Sequence, residues 1–450
     1  MLELNYWCEL AWLPPGEVVA GVVVGVTGSR ISDITPGVAR PPTGAVRLAG
    51  LTLPGLANAH SHAFHRAMRG VTEREKGDLW SWRERMYGVA AVLDPDSYHR
   101  LARATFAEMA LAGITCVGEF HHLHHAPGGR PYDDPNAMGH ALVEAAREAG
   151  LRIALLDACY LTSGIGVPLT GTQLRFGDGD SGRWAVRAEE LLDVYRPADD
   201  VEIGAAVHSV NAVPAEQLPV IGAFSHHHAV PLHTHVSEQR TENAGCVEVY
   251  AASPAQVLGD HGALGPRCTA VHATHLSDVD IALLGQSSTY VCVCPTTERD
   301  LADGVGPARA LFDAGSQVTL GSDSHAVIDL FEEARAVELD ERLVTERRGH
   351  WTAAELLQAA TASGHASLGF PDAGMLVPGA WADLVSVRLD SVRTAGTAGD
   401  DASEAVVFAA TATDVHSVVS GGRHMVREGR HVLGDVGAML AEAVAEARGE

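Results

Sequence analysis

Between about Leu53 and Phe370 the sequence repeats one pattern, in which a short apolar segment is followed by a longer amphipathic one. The apolar segments have four to six residues, a usual length for a buried strand. The amphipathic segments have ten or more residues, which is enough for a helix. A strand, a helix and a second strand in succession predict parallel strands with right-handed crossovers. Seven or eight such units in about 310 residues favour a (β/α)8 barrel over an open, doubly wound sheet.

The predicted barrel strands include residues 115–119, 152–156, 202–207, 230–232, 269–271, 290–293 and 317–320, and the predicted helices include 135–149, 183–194 and 331–343. Both ends of the chain differ from this middle part, because short β-branched runs alternate there with turn residues. We therefore expect a small β-sandwich domain built from residues 1–52 and 371–450, with the barrel in residues 53–370. Residues 393–404 are predicted as a flexible surface loop, and residues 438–448 as a C-terminal helix.

The charge balance and the cysteine content exclude several classes of protein. The 450-residue chain has 32 Lys and Arg against 57 Asp and Glu, and this net charge of −25 argues against nucleic acid or an anionic membrane surface as a partner. No apolar run reaches the roughly 18–20 residues of a membrane span, and the N-terminus lacks the basic region of a signal peptide. Seven cysteines without regular spacing are typical of a reduced, cytoplasmic protein.

Lys76 is the only lysine in the chain. Schiff-base chemistry, pyridoxal phosphate attachment and phosphate-binding loops each need a lysine in a defined setting. The residues around Lys76, which are Glu73-Arg74-Glu75 before it and Gly77 after it, form no such setting. These classes of enzyme are therefore excluded.

Histidine is abundant, with 24 in the chain, and many of these histidines follow predicted strands. In a barrel such positions share the C-terminal face, where active sites are built. His60 and His62 are two residues apart on an extended segment, so both side chains point the same way and can bind one ion.

Three further strand ends add to this group of candidates. His235 follows strand 230–232, His272 follows strand 269–271, and Asp323 follows strand 317–320. Glu238 comes three residues after His235, where it can act on a water molecule without binding the metal. A catalytic zinc site uses few protein ligands and keeps one position open for water, and this set provides both. The sequence therefore predicts a catalytic zinc site.

Five segments extend the pattern beyond the metal candidates: His60-Ser61-His62-Ala63-Phe64, Trp80-Ser81-Trp82-Arg83-Glu84, Gly118-Glu119-Phe120-His121, Cys294-Pro295-Thr296-Thr297-Glu298 and Gly321-Ser322-Asp323-Ser324-His325. With them the chain resembles the amidohydrolase superfamily and, within it, the formimidoylglutamate deiminases. The resemblance covers nearly the whole chain. The paired histidines and the Ser-Asp motif mark the superfamily, whereas the Trp-Arg-Glu and Pro-Thr-Thr-Glu segments are much more specific.

The resemblance implies one zinc ion, or another divalent metal, and a catalytic group around it. The implied ligands are His60, His62, His235 and Asp323, and the implied catalytic residues are Glu238, His272 and Asp323. Dinuclear amidohydrolases usually bridge two metals with a carboxylated lysine from the middle of the barrel, and no lysine follows Lys76, so a single metal is expected. By the same resemblance we expect a homodimer.

The implied reaction is the hydrolytic deimination of N-formimino-L-glutamate to N-formyl-L-glutamate and ammonia, a step of histidine degradation. Zinc lowers the pKa of a coordinated water toward about 7, which makes hydroxide available at neutral pH. Glu238 would accept the water proton and pass it to the imine nitrogen. His272 and Asp323 would lie beside the tetrahedral intermediate.

The resemblance is incomplete in the part of the pocket that binds the substrate. Arg83 and His208 stand where the family has them, but Asn211 replaces an arginine, His122 replaces a tyrosine and His65 replaces a common glutamine. Loss of a guanidinium removes a charged contact that is worth about 1.5–3 kcal/mol. A protonated His122 could compensate, with KM then rising between about pH 6 and 8 as that form is lost. Arg66 or Arg69 could also extend into the pocket and supply the charge. If no residue compensates, the expected substrate is a compound that lacks one carboxylate.

Two alternatives to this function stay open. The same mechanism could act on a different amidine or aminated compound, or the chain could be a catalytically inactive scaffold. The intact set of metal and catalytic candidates argues against a scaffold, which has no need of it. Cys292 and Cys294 alternate on a predicted strand and are expected to be buried thiols rather than a second metal site.

Overall fold

The computed structural model describes residues 3–72 and 79–450, so Lys76 lies outside the described residues. The strands are β1 (Glu3–Leu13), β2 (Glu17–Thr27), β3 (Arg30–Thr35), β4 (Val46–Pro54), β5 (Leu56–Ser61), β6 (Ile114–His121), β7 (Arg152–Cys159), β8 (Thr162–Gly164), β9 (Val167–Pro168), β10 (Val201–Val207), β11 (Leu232–Val236), β12 (Cys268–His272), β13 (Tyr290–Val293), β14 (Val318–Leu320), β15 (Leu384–Val387), β16 (Val415–Ser420), β17 (Arg423–Arg427) and β18 (Arg430–His431). The helices are α1 (Leu79–Val92), α2 (Pro95–Leu111), α3 (Ala137–Ala149), α4 (Ser181–Tyr195), α5 (Leu218–His228), α6 (Arg240–Tyr250), α7 (Pro254–Asp260), α8 (Asp278–Gln286), α9 (Pro295–Asp300), α10 (Ala308–Ala314), α11 (Leu330–Thr345), α12 (Ala353–Gln358), α13 (Gly364–Ser367), α14 (Ala402–Ala409) and α15 (Val436–Arg448).

Eight parallel strands form the (β/α)8 barrel that the sequence predicts, in the order β5-β6-β7-β10-β11-β12-β13-β14. Every residue of β5, β6 and β7 is buried, because helices cover the outside of the barrel and side chains fill the inside. β14 closes the barrel against β5 through a parallel bridge between Ser61 and Asp323. At this seam the backbone N–H of Asp323 donates to the carbonyl oxygen of His60 at 3.0 Å.

Strand β11 begins and ends later than the sequence pattern indicates. The apolar run ends at Leu232, yet pairing with β12 continues through His235 to Val236, opposite His272. Polar side chains inside a barrel do not interrupt the ladder, since backbone groups alone form it. His235 therefore lies on the strand rather than after it.

The second sheet combines the two ends of the chain, in the order β18-β17-β16-β15-β4-β1-β2-β3. This is the predicted β-rich domain, and its hydrogen bonds join all eight strands into one mixed sheet, in which β1 and β4 are parallel and the other neighbours are antiparallel. Strand β4 extends to Pro54, two residues beyond the predicted limit of the first segment. The domain limits at residues 52 and 371 stay a prediction.

The β-rich domain is joined tightly to the barrel at two points. Gly55 alone separates β4 from β5, and a Cβ atom there would lie 2.1 Å from the Thr115 hydroxyl oxygen, so only glycine fits. Arg152 of β7 forms a buried ion pair with Asp383, with the Nη2 and Oδ2 atoms 2.5 Å apart. The first barrel strand is thereby fixed relative to the second sheet.

The remaining predictions are mostly confirmed at the level of elements. The C-terminal helix is present as α15, and the predicted helices 135–149, 183–194 and 331–343 correspond to α3, α4 and α11. The prediction of a flexible loop over residues 393–404 is wrong at its end, because α14 begins at Ala402 and buries Val406 and Val407. Across the described residues we find no helix with the length and apolar character that a membrane crossing requires.

Candidate metal centre and active site

Four of the predicted ligand side chains converge at the carboxyl ends of β5, β11 and β14. His60, His62, His235 and Asp323 each place one ligand atom within 4.8 Å of the others. Nε2 of His60 lies 3.1 Å from Nε2 of His235, and Oδ1 of Asp323 lies 3.4 Å from Nε2 of both His60 and His62. All four residues are buried. The structure thus brings together the residues that the sequence predicts as ligands.

The hydrogen bonds of two histidines show which ring nitrogen faces the cluster as an acceptor. Nδ1 of His62 donates to the carbonyl oxygen of Phe120 at 3.1 Å, and Nδ1 of His235 donates to that of His208 at 2.8 Å. A carbonyl oxygen only accepts, so the Nε2 atoms of both rings carry lone pairs. Both lone pairs are available to a cation held in the cluster. The donor set therefore fits a divalent metal, and the carbonyl groups of Phe120 and His208 fix the tautomer of the two rings, as hydrogen-bond partners of histidine ligands do in known zinc sites.

The charge states of the cluster also suit a metal. Burial lowers the pKa of His60, and it lowers the pKa of His62 and His235 well below its usual range, so the three imidazoles are neutral. Burial acts to raise the pKa of Asp323, but the neighbouring histidines, His60 foremost, hold it well below its usual range. Neutral imidazole and ionised carboxylate are the forms that bind metals.

His272 lies beside this cluster and is held by Glu298. Its Nε2 atom is 3.6 Å from Oδ2 of Asp323, and its Nδ1 atom is 3.3 Å from Oε1 of Glu298. The same Glu298 oxygen accepts from the backbone N–H of Cys294 at 2.9 Å. Burial acts to lower the pKa of His272, but Glu238, Glu298 and Asp323 outweigh it and raise the pKa well above its usual value. Glu298 belongs to the Pro-Thr-Thr-Glu segment, but the sequence did not predict its contact with His272.

Glu238 follows β11 and completes the reactive end of the site. Its backbone N–H donates to Oε2 of Glu242 at 3.1 Å, which fixes the turn that carries it. Burial raises the pKa of the Glu238 carboxyl group, as do Asp323 and Glu298, while His272 opposes them. Glu238 is not among the four clustered ligand residues, and its action on water without binding the metal stays a prediction.

The backbone at this end of the barrel is strained at several non-glycine residues. Ser237, His272 and Asp323 have φ values of +53°, +66° and +43°, in the left-handed region that side chains avoid. Each of these residues lies at or just after the end of a barrel strand. Strain of this kind persists only where the surrounding structure over-determines it, and it concentrates at functional sites.

A cavity of about 350 Å³ opens over the cluster, and its wall includes most of the predicted site residues. Glu238, His272 and Asp323 form part of the wall at the metal cluster. The candidates for substrate binding that contribute to the wall are Arg83, His65, His122, His208 and Asn211. The structure therefore brings the predicted catalytic and substrate-binding residues into one site, with His60 behind its wall.

Arg83 is fixed by tyrosines that sequence reasoning did not identify. Its guanidinium donates from Nη2 to the Tyr87 hydroxyl at 2.8 Å and also bonds the Tyr160 hydroxyl. Gln173 donates to the same two hydroxyls at 3.1 Å and 3.3 Å. Tyr87 is one helical turn after Arg83, a spacing that could have indicated the pair. Tyr160 and Gln173 come from elsewhere in the chain, and no local signal points to them.

His122 does not supply the positive charge that could replace the missing arginine. Its ring is buried, with centroids 5.3 Å from that of His62 and 4.9 Å from that of Phe176. Burial lowers the pKa of His122 to about 3, so the side chain is neutral at physiological pH. A protonated His122 therefore does not replace the arginine at neutral pH, and we expect no KM trend between pH 6 and 8 from this residue.

Arg66 and Arg69 do not compensate either. Nε of Arg66 and Nη1 of Arg69 pair with the carboxylate of Glu108 at 2.7 Å and 2.6 Å, and neither arginine contributes to the cavity wall. Among the described residues that line the cavity, Arg83 is the one arginine or lysine.

Two other groups of metal-binding residue types have structural explanations. His121, His124 and Asp157 lie close together, but both oxygens of Asp157 accept from the Arg187 guanidinium at 2.7 Å and 2.8 Å, which leaves no uncompensated charge for a metal. The sulfur atoms of Cys292 and Cys294 are 4.0 Å apart and buried, and burial raises the pKa of the Cys294 thiol well above its usual value. Protonated thiols are poor ligands, in agreement with the predicted buried pair.

The sequence profile of the amidohydrolase family matches residues 51–425. The chain belongs to the amidohydrolase family. A formimidoylglutamate deiminase of Pseudomonas aeruginosa is 35% identical over 402 residues, which cover 86% of this chain and 87% of that protein.

Two solved structures extend the comparison to three dimensions. An amidohydrolase from Brucella melitensis has a TM-score of 0.91 at 31% identity and covers 99% of each chain. An adenosine deaminase from Xanthomonas campestris with bound zinc has a TM-score of 0.84 at 25% identity and covers 98% of this chain and 97% of that one. This amidohydrolase is thus a metal-dependent hydrolase that acts on C–N bonds, and the zinc-bound relative and the His/Asp cluster support a divalent metal.

Proposed function

We propose that this amidohydrolase hydrolyses N-formimino-L-glutamate to N-formyl-L-glutamate and ammonia, with one zinc ion per chain. The observation that carries the proposal is the convergence of His60, His62, His235 and Asp323 beneath a cavity whose wall includes Glu238 and His272. The relative from Pseudomonas aeruginosa supports the substrate class. The reaction would belong to histidine degradation, and we expect a cytoplasmic homodimer without a nucleic-acid partner.

The proposed ligands are the three histidines and Asp323, because their acceptor atoms face one another. Zinc held there would supply a Lewis acid that lowers the pKa of water. Glu238 takes one proton from the attacking water and delivers it to the imine nitrogen of the substrate. His272, kept protonated at Nδ1 by Glu298, stabilises the negative charge that develops on oxygen. Water adds to the formimino carbon, Glu238 carries the second proton from the hydroxyl group of the adduct to the same nitrogen, the C–N bond to that nitrogen breaks, and ammonia departs as the formyl C=O bond forms.

A second candidate keeps this chemistry but takes a substrate with fewer negative charges. N-formimino-L-glutamate carries two carboxylates, whereas Arg83 is the one fixed cation that the described cavity wall offers. Asn211 provides neither charge nor a forked donor, and His122 is neutral. These departures favour an amidine or formimino compound that lacks one carboxylate.

Ammonia release from a panel of substrates tests both candidates. The panel contains N-formimino-L-glutamate, formimino compounds with one or no carboxylate, guanidino compounds and adenosine. The first candidate predicts the highest kcat/KM for N-formimino-L-glutamate, and the second predicts it for a formimino compound with one carboxylate. Turnover restricted to adenosine or another aminated ring would overturn both.

A further inference from the structure

A chain of five buried side chains crosses the barrel seam directly behind the metal cluster. Two links connect β6 to the last strand: the Ser61 hydroxyl donates to Oε2 of Glu119 at 2.5 Å and lies 3.2 Å from Nε2 of His325. Two more links lead back to β5, because Nδ1 of His325 lies 3.0 Å from the Ser322 hydroxyl, which accepts from Nδ2 of Asn58 at 2.7 Å. All five residues are fully buried.

The direction of every hydrogen bond in this chain follows from its two ends. Asn58 donates its amide N–H to Ser322, so the Ser322 hydroxyl proton is free to point at Nδ1 of His325. When Glu119 is ionised, the Ser61 proton points at it, so Nε2 of His325 is the donor to Ser61. His325 is thereby fixed as the neutral tautomer with its proton on Nε2. Reversing the chain would leave the Ser322 hydroxyl without an acceptor.

Two hydrogen bonds anchor the Glu119 end of the chain. Its Oε1 atom accepts from the backbone N–H of Ala63 at 2.7 Å, while Oε2 accepts from Ser61. Burial raises the pKa of Glu119 to about 8, and these hydrogen bonds oppose the rise. A cation held by His60 and His62 acts in the same direction as the hydrogen bonds, because a nearby positive charge favours the ionised form.

The chain ties the two ligand-bearing segments of the seam to each other. Ser61 lies between His60 and His62, and Ser322 directly precedes Asp323. The backbone closes the barrel here through one bridged pair with hydrogen bonds of 3.0 Å and 3.2 Å, and the Ser322 N–H donates to Oδ1 of Asn58 at 2.9 Å, so the remaining links between the two segments run through side chains. Among residues 3–72 and 79–450, His325 is the side chain that hydrogen-bonds both serines.

We propose that His325 is a positioning residue that joins Ser61 to Ser322 and thereby sets the spacing of the histidine and aspartate ligands across the barrel seam. The inference uses the proposed ligand set but does not depend on the identity of the substrate. Outer-shell partners of this kind change metal affinity by about 10-fold to 100-fold when they are removed.

Two substitutions of His325 separate the two links. In His325→Gln the side-chain amide can still donate to Ser61, and in His325→Asn the side-chain oxygen can still accept from Ser322. Chelator competition gives the zinc affinity of each variant, and the visible absorption spectrum of the cobalt-loaded protein reports the geometry of the ligands. We expect each variant to lose about 10-fold to 100-fold in zinc affinity and to shift the cobalt bands, and His325→Ala to lose more than either.

His431 provides a matched control. It is a buried histidine of strand β18, in the second sheet, and its ring donates one hydrogen bond and accepts another. Its Nε2 atom donates to the carbonyl oxygen of Ala149 at 3.1 Å, and its Nδ1 atom accepts from the N–H of Leu433 at 3.1 Å. We expect His431→Gln to lower the melting temperature without changing zinc affinity or the cobalt spectrum. Zinc affinity and cobalt bands that are the same in the His325 variants as in wild type would overturn the proposal, whatever the effect on stability. Failure of the wild-type protein to bind zinc would instead overturn the proposed ligand set.

Discussion

At the scale of single residues, Glu238 is the side chain on which the proposed chemistry depends. It lines the cavity with His272 and Asp323 but is not one of the four clustered ligand residues. We expect Glu238→Gln to lower kcat by about 10²-fold to 10⁴-fold, because the amide cannot carry the proton from water to the leaving nitrogen. Ammonia release and metal analysis of the same sample check this, and the metal content should equal that of wild type. Loss of the metal would show that Glu238 is a ligand.

Asn211 is the residue that decides between the two proposed substrates. Replacing it with arginine adds a second charge and forked donor to a cavity wall in which Arg83 is the one described arginine or lysine. We expect Asn211→Arg to raise kcat/KM for N-formimino-L-glutamate by about tenfold or more, mostly through KM. Asn211→Gln, which adds length without charge, is the control. No gain from arginine, together with efficient turnover by wild type, would show that the departure is neutral.

The KM of wild type should carry no trend from His122 as the pH changes. Burial lowers the pKa of His122 to about 3, so its protonated form is already lost below pH 5. The ratio of the KM of wild type to the KM of His122→Asn for N-formimino-L-glutamate is therefore expected to be the same at pH 6 and at pH 8. A KM ratio between the two proteins that changes with pH would contradict a neutral His122.

The sequence predicted the individual ligands but not the contacts that hold them. His60, His62, His235 and Asp323 could be found because each follows an apolar run, and in a barrel all such ends meet. The contact of His272 with Glu298 joins residues 26 apart, and that of Ser61 with His325 joins residues 264 apart. Pairing over such distances depends on the order of the strands, which no local spacing reveals.

At the scale of elements, the boundaries that the sequence missed are those where the local composition misleads. β11 was predicted too early because its polar histidines ended the apolar run, although they remain in the ladder. α14 was missed because the small and acidic residues of 393–404 continue into its first turn, and its buried valines come later. The long helices α3, α4 and α11 were predicted well, since their periodic apolar faces cover several turns.

The junction of β7 and α4 gives a prediction about stability. Arg187 of α4 is buried and binds Asp157 of β7 through both oxygens and Asp178 at 2.9 Å. Arg187→Leu would leave two buried carboxylates without their partner, and we expect it to lower the free energy of unfolding by about 3–5 kcal/mol. Arg183→Leu, on the exposed face of the same helix, is the control and should change it by less than about 1 kcal/mol. Urea unfolding of both variants measures the change. An equal loss of unfolding free energy in the two variants would contradict the role of Arg187 as the partner of the two buried carboxylates.

The same junction predicts how stability depends on pH. Burial acts to raise the pKa of Asp178, but hydrogen bonds from His125 and Arg187 outweigh it and hold the pKa well below its usual range. An unfolded aspartate has a pKa of about 3.9. The pairing therefore stabilises the protein fully above about pH 5, and this contribution is lost as the pH falls. Asp178→Asn should show a smaller loss of unfolding free energy between pH 5 and pH 3 than wild type, and an equal loss would count against the pairing.

At the scale of the whole molecule, one metal ion should stabilise the closed barrel by linking its first and last strands. His60 lies on the first barrel strand, His62 directly follows it, and Asp323 follows the last strand and is bridged to Ser61. A ligand that binds only the folded state adds about 2.7 kcal/mol to its stability at a concentration of 100 times Kd. We therefore expect removal of the metal by a chelator to lower the melting temperature by several degrees, and zinc to restore it. Metal analysis should give one ion per chain, because no lysine follows Lys76 to carry a bridging carboxylate. Two ions per active chain, or a melting temperature that chelation leaves unchanged, would contradict a single metal at the seam.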